Sequence, residues 1–182
     1  ASPAEAPASP GCAAPPAPPP PGPPHETRPP GGHRLRNSFL VGAVGSGEPL
    51  LTPDEAATRT AIDLLAEGLP EPFALVLTLF APHPPFAVEE PWASMHDAAA
   101  MAPPIPPAAG KAGFLGAYRD LAGLDGLTDD DWARIRATYA GMVSQLDEQF
   151  GRVVAAAERA GVLDRTVTVF HTDHGEYLGD FG

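Results

Sequence analysis

Proline is the residue that most constrains how this chain can fold. Thirteen of the 25 prolines lie within the first thirty of the 182 residues. Proline has no backbone N–H and a fixed φ, so a segment this rich in it forms neither a helix nor a sheet ladder. The same segment has few large apolar side chains, which favours disorder. We therefore predict a disordered Pro-rich segment at residues 1–33 and one folded domain at residues 34–182.

The charge is distributed as unevenly as the proline. The net charge is −12, and residues 1–50 hold equal numbers of acidic and basic residues, so the whole excess lies in residues 51–182. An acidic domain repels nucleic acid and anionic membranes, which excludes both as partners. It can still bind a small anionic substrate if a metal ion supplies positive charge locally. The sequence does not define an oligomeric state.

Cysteine content and apolar runs limit the remaining classes. Cys12 is the single cysteine, which excludes an internal disulfide. The longest apolar run, residues 73–81, is too short to span a bilayer, and the N-terminus lacks the pattern of a signal peptide. The compartment stays open, with a cytoplasmic location favoured. The chain has no initiator Met and stops just after a loop begins, so we expect a fragment of a longer protein.

Four segments beyond residue 50 carry clear secondary-structure patterns. Residues 52–68 begin with a capping box and end at a glycine, which predicts a helix. Residues 128–161 begin with Thr and three Asp and carry an apolar stripe at helical spacing, which predicts a long second helix. Residues 73–80 and 166–170 are continuous apolar runs of strand length, as expected for strands buried on both faces.

The intervening segments are less regular. Residues 38–44 are either a short strand or part of a loop. Residues 87–127 predict a long irregular excursion with one short helix near residues 114–121. The alternation of helices and apolar strands indicates an α/β domain with a largely parallel sheet flanked by helices.

Both predicted strands end in polar, histidine-containing sequence, at the sheet edge where such folds bind ligands. His171, Asp173 and His174 follow the second strand; a carboxylate and an imidazole suit a divalent cation, and a turn or helix cap is the alternative. Two ligands do not close a metal site. His83 lies between two prolines, which suits a donor to an anionic oxygen or leaving group; a surface histidine is the alternative. Asp180 is interpreted as a solvated loop acid.

Three segments resemble the sulfatase branch of the alkaline-phosphatase-like superfamily, in matching order and spacing over residues 50–182. Residues 72–86 resemble its strand followed by Pro-His-x-Pro-Phe. Residues 139–153 resemble its long helix with a Tyr…Asp…Gly-Arg pattern. Residues 167–182 resemble its strand followed by Thr-Ser-Asp-His-Gly-Glu/Asp-x-Leu-Gly-Asp.

The resemblance implies an alkaline-phosphatase-like α/β fold, incomplete in this chain, and the hydrolysis of a sulfate monoester. It implies a divalent cation, calcium first and manganese or magnesium as alternatives. Asp173 and His174 match the metal-binding pair of the family, and His83 matches the histidine that contacts the sulfate or the leaving oxygen. The family's nucleophile is a formylglycine made from the cysteine of a Cys-x-Pro/Ala-x-Arg motif.

The chain also departs from the family pattern. Cys12 has no Arg at the fifth position of its motif, so it is rejected as the nucleophile, and the paired aspartates expected early in the family are missing. We expect the formylglycine in a preceding part of the protein and the isolated chain to be inactive. A phosphonate monoester hydrolase or phosphodiesterase of the same superfamily is one alternative. The other is a non-catalytic, degenerate domain with a Pro-rich binding tail.

Overall fold

A computed structural model describes residues 40–45, 51–122 and 124–181. The predicted disordered segment at 1–33 lies outside these residues. The helices and strands, in chain order, are β1 (Leu40–Val44), α1 (Pro53–Glu67), β2 (Phe86–Glu89), α2 (Phe114–Ala122) and α3 (Asp129–Arg159). Short 3₁₀ turns occur at Trp92–Ser94, Ala98–Ala100, Leu124–Gly126 and Leu163–Arg165. Of the helices in the described residues, none combines the length and apolarity that a bilayer crossing requires.

The two strands form a parallel pair packed against the helices. Leu40 lies opposite Phe86, and Val44 lies opposite Glu89. For residues 38–44 the sequence left a strand or a loop open, and the described part of this segment is a strand that begins at Leu40. Parallel strands in contact with helices confirm the predicted α/β class.

Both long helices begin at the predicted caps. Thr52 Oγ1 accepts a hydrogen bond from Glu55 N at 3.1 Å, and α1 ends at Gly68, whose φ is +87°. At the start of α3, Thr128 Oγ1 accepts from Asp131 N at 3.3 Å while Asp131 Oδ2 accepts from Thr128 N at 2.9 Å. The predicted helices at residues 52–68, 114–121 and 128–161 are therefore confirmed.

Helix α3 is the axis around which the core is built. Near its N-terminal half, Ile135 is fully buried and packs with Phe86 and Val88 of β2. Near its C-terminal end, Ala156 packs with Leu65 of α1. The apolar stripe of this helix thus joins two clusters, one that holds the sheet and one that holds α1.

The two predicted buried strands are extended segments without a strand partner among the described residues. Along residues 73–80 alternate side chains face the core, but Val76 is 85% exposed. Residues 166–170 are exposed throughout, and Val167 is 89% exposed. The prediction of burial on both faces is therefore wrong for the described residues. Such burial requires pairing strands on each edge and a layer on each face, and only one face of residues 73–80 is covered here.

The excursion at residues 87–127 is less irregular than predicted, because β2 begins just before it and runs into it. The sequence did not predict β2, since four residues after two prolines carry too short a pattern to separate from a loop. Both strands of the sheet contact α3.

A carboxylate of α1 joins that helix to α3. Glu55 receives two hydrogen bonds from the guanidinium of Arg152, at 2.8 and 2.9 Å, and one from Arg59 at 2.6 Å. The hydrogen bonds from Arg152, together with the one from Arg59, lower the pKa of Glu55 from 4.5 to about 2, although burial opposes the change. The paired, bidentate geometry favours the charged form of the carboxyl group.

This pairing predicts acid sensitivity. Because the folded-state pKa lies below the unfolded value, the stabilisation is present above pH 4.5 and is lost as the pH falls towards 2. We expect Glu55→Gln to lower the free energy of unfolding by about 2 kcal/mol at pH 7, after allowance for the partly exposed arginines. Urea unfolding at pH 7 and pH 3 measures the loss, and the variant should show less change between the two. Asp63→Asn, an exposed change on the same helix, is the control. Equal losses in the two variants would contradict the assignment.

Candidate metal and substrate site

The loop after residues 166–170 brings a carboxylate and an imidazole together. Adjacent residues in an extended strand point to opposite faces, but the chain bends at Asp173. As a result, Oδ2 of Asp173 lies 3.8 Å from Nε2 of His174. The other carboxylate oxygen, Oδ1, accepts the backbone N–H of His174 at 2.9 Å. The bend that a shared ligand site requires is therefore present.

The tautomer of His174 follows from its hydrogen bond. Nδ1 lies 2.8 Å from the carbonyl oxygen of Gly175, which can only accept, so Nδ1 carries the proton. In the neutral ring, Nε2 then has a free lone pair, and Nε2 is the ring nitrogen 3.8 Å from Oδ2 of Asp173. The bond to Gly175 and the charge of Asp173 both raise the pKa of His174. A metal ion at this position would compete with a proton for Nε2 of His174. The affinity of the pair for a metal would therefore decrease as the pH is lowered.

The donor set fits a divalent cation. A separation of 3.8 Å is too long for a hydrogen bond, but an ion about 2.4 Å from each atom can bind both. Both side chains are open to solvent, with Asp173 86% and His174 67% exposed. Within the part of the chain that the structure describes, no group of three or more His, Cys, Asp or Glu side chains is placed to hold a metal. Asp173 and His174 therefore offer two donor atoms, which alone do not close a metal site.

His83 lies in a tight, anchored turn after residues 73–80. Its backbone N–H donates to the carbonyl of Phe80 at 2.9 Å, and its ring meets the Phe80 ring edge-on with centroids 5.8 Å apart. Its Nδ1 lies 2.6 Å from the carbonyl oxygen of Pro84, which leaves Nε2 free. The carboxylate of Asp54, at the start of α1, accepts the N–H groups of Phe80 and Ala81 at 2.9 and 2.8 Å. No sequence pattern predicted these two bonds to Asp54.

The two segments that precede the candidate residues start next to each other. Glu71, just before residues 73–80, forms an ion pair with Arg165, just before residues 166–170. The second segment then passes along α3, where the ring of Phe170 lies 5.2 Å from that of Phe150 and Leu178 packs near Ile135 in the N-terminal half. His83 and the Asp173–His174 pair thus follow segments whose starts are joined by an ion pair. Among the described residues, no hydrogen bond or ion pair joins His83 to the pair.

Residues 177–181, the loop that follows Asp173 and His174, pack against α3. Leu178 packs in the core cluster of β2, and Gly179 lies so close to the Trp132 ring that a Cβ there would be 2.8 Å away. Gly179 has a φ of +87°, which glycine adopts without strain. Asp180 forms an ion pair with Arg136. The interpretation of Asp180 as a solvated loop acid is therefore wrong, because its side chain is only 26% exposed and is paired.

Comparison with known proteins connects this geometry to a family. A family model described as Sulfatase matches residues 26–182. A multifunctional alkaline phosphatase superfamily protein, PehA, from Trinickia caryophylli is 34% identical over 139 residues, which cover 68% of this chain and 27% of that protein. A sulfatase from Formosa agariphila is 26% identical over 72% of this chain, and an arylsulfatase from Clostridium perfringens is 28% identical over 73%. The alignments cover 27% and 28% of those two proteins, so the chain spans about a quarter of the length of these relatives.

Proposed function

This chain belongs to the sulfatase family, and we propose that it supplies part of the catalytic domain of a metal-dependent enzyme that hydrolyses sulfate monoesters. Its fold is that of the alkaline-phosphatase-like superfamily. The observation that supports the proposal is the Asp173–His174 pair, in which a free imidazole nitrogen and a carboxylate oxygen lie 3.8 Å apart. Two of the relatives are described as a sulfatase and an arylsulfatase.

In this proposal, Asp173 and His174 hold a divalent cation, with calcium first and manganese or magnesium as alternatives. A cation held there would supply positive charge that polarises the ester and offsets the repulsion between an anionic substrate and a domain of net charge −12. Oδ2 of Asp173 is the carboxylate oxygen available to such an ion, because Oδ1 accepts the backbone N–H of His174. The hydrogen bond to Gly175 orients the ring of His174, as partners of metal-binding histidines commonly do.

His83 is proposed to contact the sulfate or the leaving oxygen through Nε2. Because the carbonyl of Pro84 can only accept, Nδ1 keeps its proton, and Nε2 donates a proton to a developing alkoxide from the doubly protonated ring. The turn anchored by Asp54 holds the ring in place. The nucleophile is proposed to be a formylglycine outside these 182 residues, since Cys12 lacks the arginine of the family motif. The isolated chain is accordingly proposed to be inactive.

Turnover of 4-nitrophenyl sulfate by the complete protein that contains these residues tests the proposal. We expect activity that EDTA removes and calcium restores, and a loss of roughly 100-fold in kcat for His83→Ala. Val76→Ala, an exposed change on the segment that leads to His83, is the matched control and should leave kcat unchanged. Activity that resists EDTA, equal rates for His83→Ala and the control, or turnover by the 182-residue chain alone would contradict the proposal.

Hydrolysis of phosphonate monoesters or phosphodiesters is the second candidate. A relative that is 34% identical is described as a multifunctional alkaline phosphatase superfamily protein, a description that is not limited to sulfate esters. The same cation and histidine would serve either ester, because both carry anionic oxygens on a tetrahedral centre. The two candidates differ in which ester the complete protein hydrolyses faster.

A further inference from the structure

One guanidinium joins the loop after the candidate metal pair to two other segments. Arg136 of α3 forms an ion pair with Asp180, and its Nε donates to the carbonyl of Leu178 at 3.2 Å. Its Nη1 donates to the carbonyl of Ala102, in the excursion, at 3.3 Å. The planar fork of arginine spreads its donors over three nitrogens and so reaches these three acceptors at once, whereas a lysine would have to reach all three from a single nitrogen.

The backbone of the excursion completes the attachment. The N–H of Ile105 donates to Oδ1 of Asp180 at 2.8 Å, and the N–H of Phe181 donates to the carbonyl of Ile105 at 2.7 Å. We call Arg136, Asp180, Ile105 and Phe181 the loop clamp. The side chains of Arg136 and Asp180 are 17% and 26% exposed, so water screens this ion pair less than a surface pair.

The backbone conformation of residues 177–181 is imposed by the residues around this loop. Leu178 and Phe181 have φ values of +50° and +68°, in the left-handed region that non-glycine residues avoid. Such a backbone persists only where contacts enforce it. The excursion supplies such contacts through Ile105, and α3 supplies them through Arg136. Nearer to the candidate pair, burial and, to a smaller degree, the charge of Glu176 raise the pKa of Tyr139 in α3.

We propose that Arg136 is a positioning residue for the metal site: through Asp180 it fixes the loop that follows Asp173 and His174 and so keeps their two ligand atoms on one side of the chain. This inference rests on the proposed function, because it gives the ion pair a role towards the cation. The excursion at residues 87–127 also helps to hold the loop, because Ala102 bonds to the side chain of Arg136 and Ile105 bonds to that of Asp180.

Three variants of the 182-residue chain test the inference. Arg136→Gln removes the ion pair, Arg136→Lys keeps a charge opposite Asp180 but loses the simultaneous carbonyl bonds, and Arg134→Gln is the control. Arg134 is exposed on the same helix and forms no ion pair among the described residues. For Arg136→Gln we expect roughly tenfold weaker calcium binding by calorimetry and roughly tenfold faster amide exchange at Ile105 and Phe181. Arg136→Lys should fall in between, and Arg134→Gln should match the wild type.

The outcomes separate the inference from the proposed function. If Arg136→Gln speeds exchange but leaves calcium affinity unchanged, the positioning role is overturned and the proposed function stands. If the wild type binds no calcium, the metal role proposed above fails for this chain, and the NMR shift of the His174 amide, which donates to Asp173, decides the inference. A shift in Arg136→Gln alone then supports the coupling, and an unchanged shift overturns it. Exchange at Ala61, in the distant α1, verifies that each variant is folded.

Discussion

Replacing Gly141 with alanine is expected to destabilise the folded chain by about 3 kcal/mol. Gly141 lies in α3 where the helix crosses the 3₁₀ turn at Trp92 and the strand β2. A Cβ at this position would lie 2.5 Å from the backbone oxygen of Trp92 and 3.2 Å from Cγ1 of Val88. A backbone oxygen cannot rotate away as a side chain can, so the helix must move off the sheet. That movement opens the core cluster around Ile135, and the loss exceeds the gain of about 1 kcal/mol in helix propensity.

The same helix offers a matched control. A Cβ at Gly151 would meet no atom within 4 Å. Gly151→Ala is therefore expected to stabilise the chain by up to about 1 kcal/mol through helix propensity alone. Urea unfolding followed by circular dichroism gives both free energies. Effects of the same sign in the two variants would show that α3 does not approach Trp92 as the structure describes.

Asp173→Asn is expected to abolish measurable calcium binding by the chain. The amide keeps an oxygen at the same place and can still accept the N–H of His174, but it loses the negative charge that dominates calcium affinity. With two protein ligands the wild-type site is expected to bind calcium weakly, so the loss of one charge leaves no competent site. Isothermal calorimetry at pH 7.5 measures the change.

Asp63→Asn is the control for non-specific binding, because it removes one exposed charge from α1. A domain of net charge −12 attracts calcium diffusely, and both variants would reduce that attraction equally. Equal affinities of the two variants would show that calcium associates with the acidic surface as a whole. Loss confined to Asp173→Asn assigns the binding to the pair.

The helices of this fold are predictable from sequence because their signals are local. Thr52 and Thr128 cap helices within three residues of their partners, and the stripe that includes Ile135 repeats at helical spacing. The surroundings of residues 73–80 and 166–170 are not local. An apolar run predicts that a segment can be buried, but its neighbours and register depend on distant parts of the chain. The prediction of burial on both faces went wrong for that reason.

The site divides in the same way. Asp173 and His174 are adjacent, so the pair was predictable as a candidate, and the bend that joins its atoms matches the need for a departure from extended geometry. The ion pair of Arg136 with Asp180 spans 44 residues. Its formation depends on how the loop docks on α3, and no pattern in the sequence marks it. The hydrogen bonds from Phe80 and Ala81 to Asp54 were unpredictable on the same grounds.

The most direct test of the proposed function compares kcat/KM of the complete protein for a sulfate monoester and a phosphonate monoester with the same 4-nitrophenol leaving group, in calcium. A shared leaving group removes differences in leaving-group reactivity, so the ratio depends on the transferred group alone. We predict a higher kcat/KM for the sulfate ester, and loss of both activities in Asp173→Asn. A higher value for the phosphonate ester would contradict the assignment as a sulfatase, and full activity of Asp173→Asn would contradict the metal site.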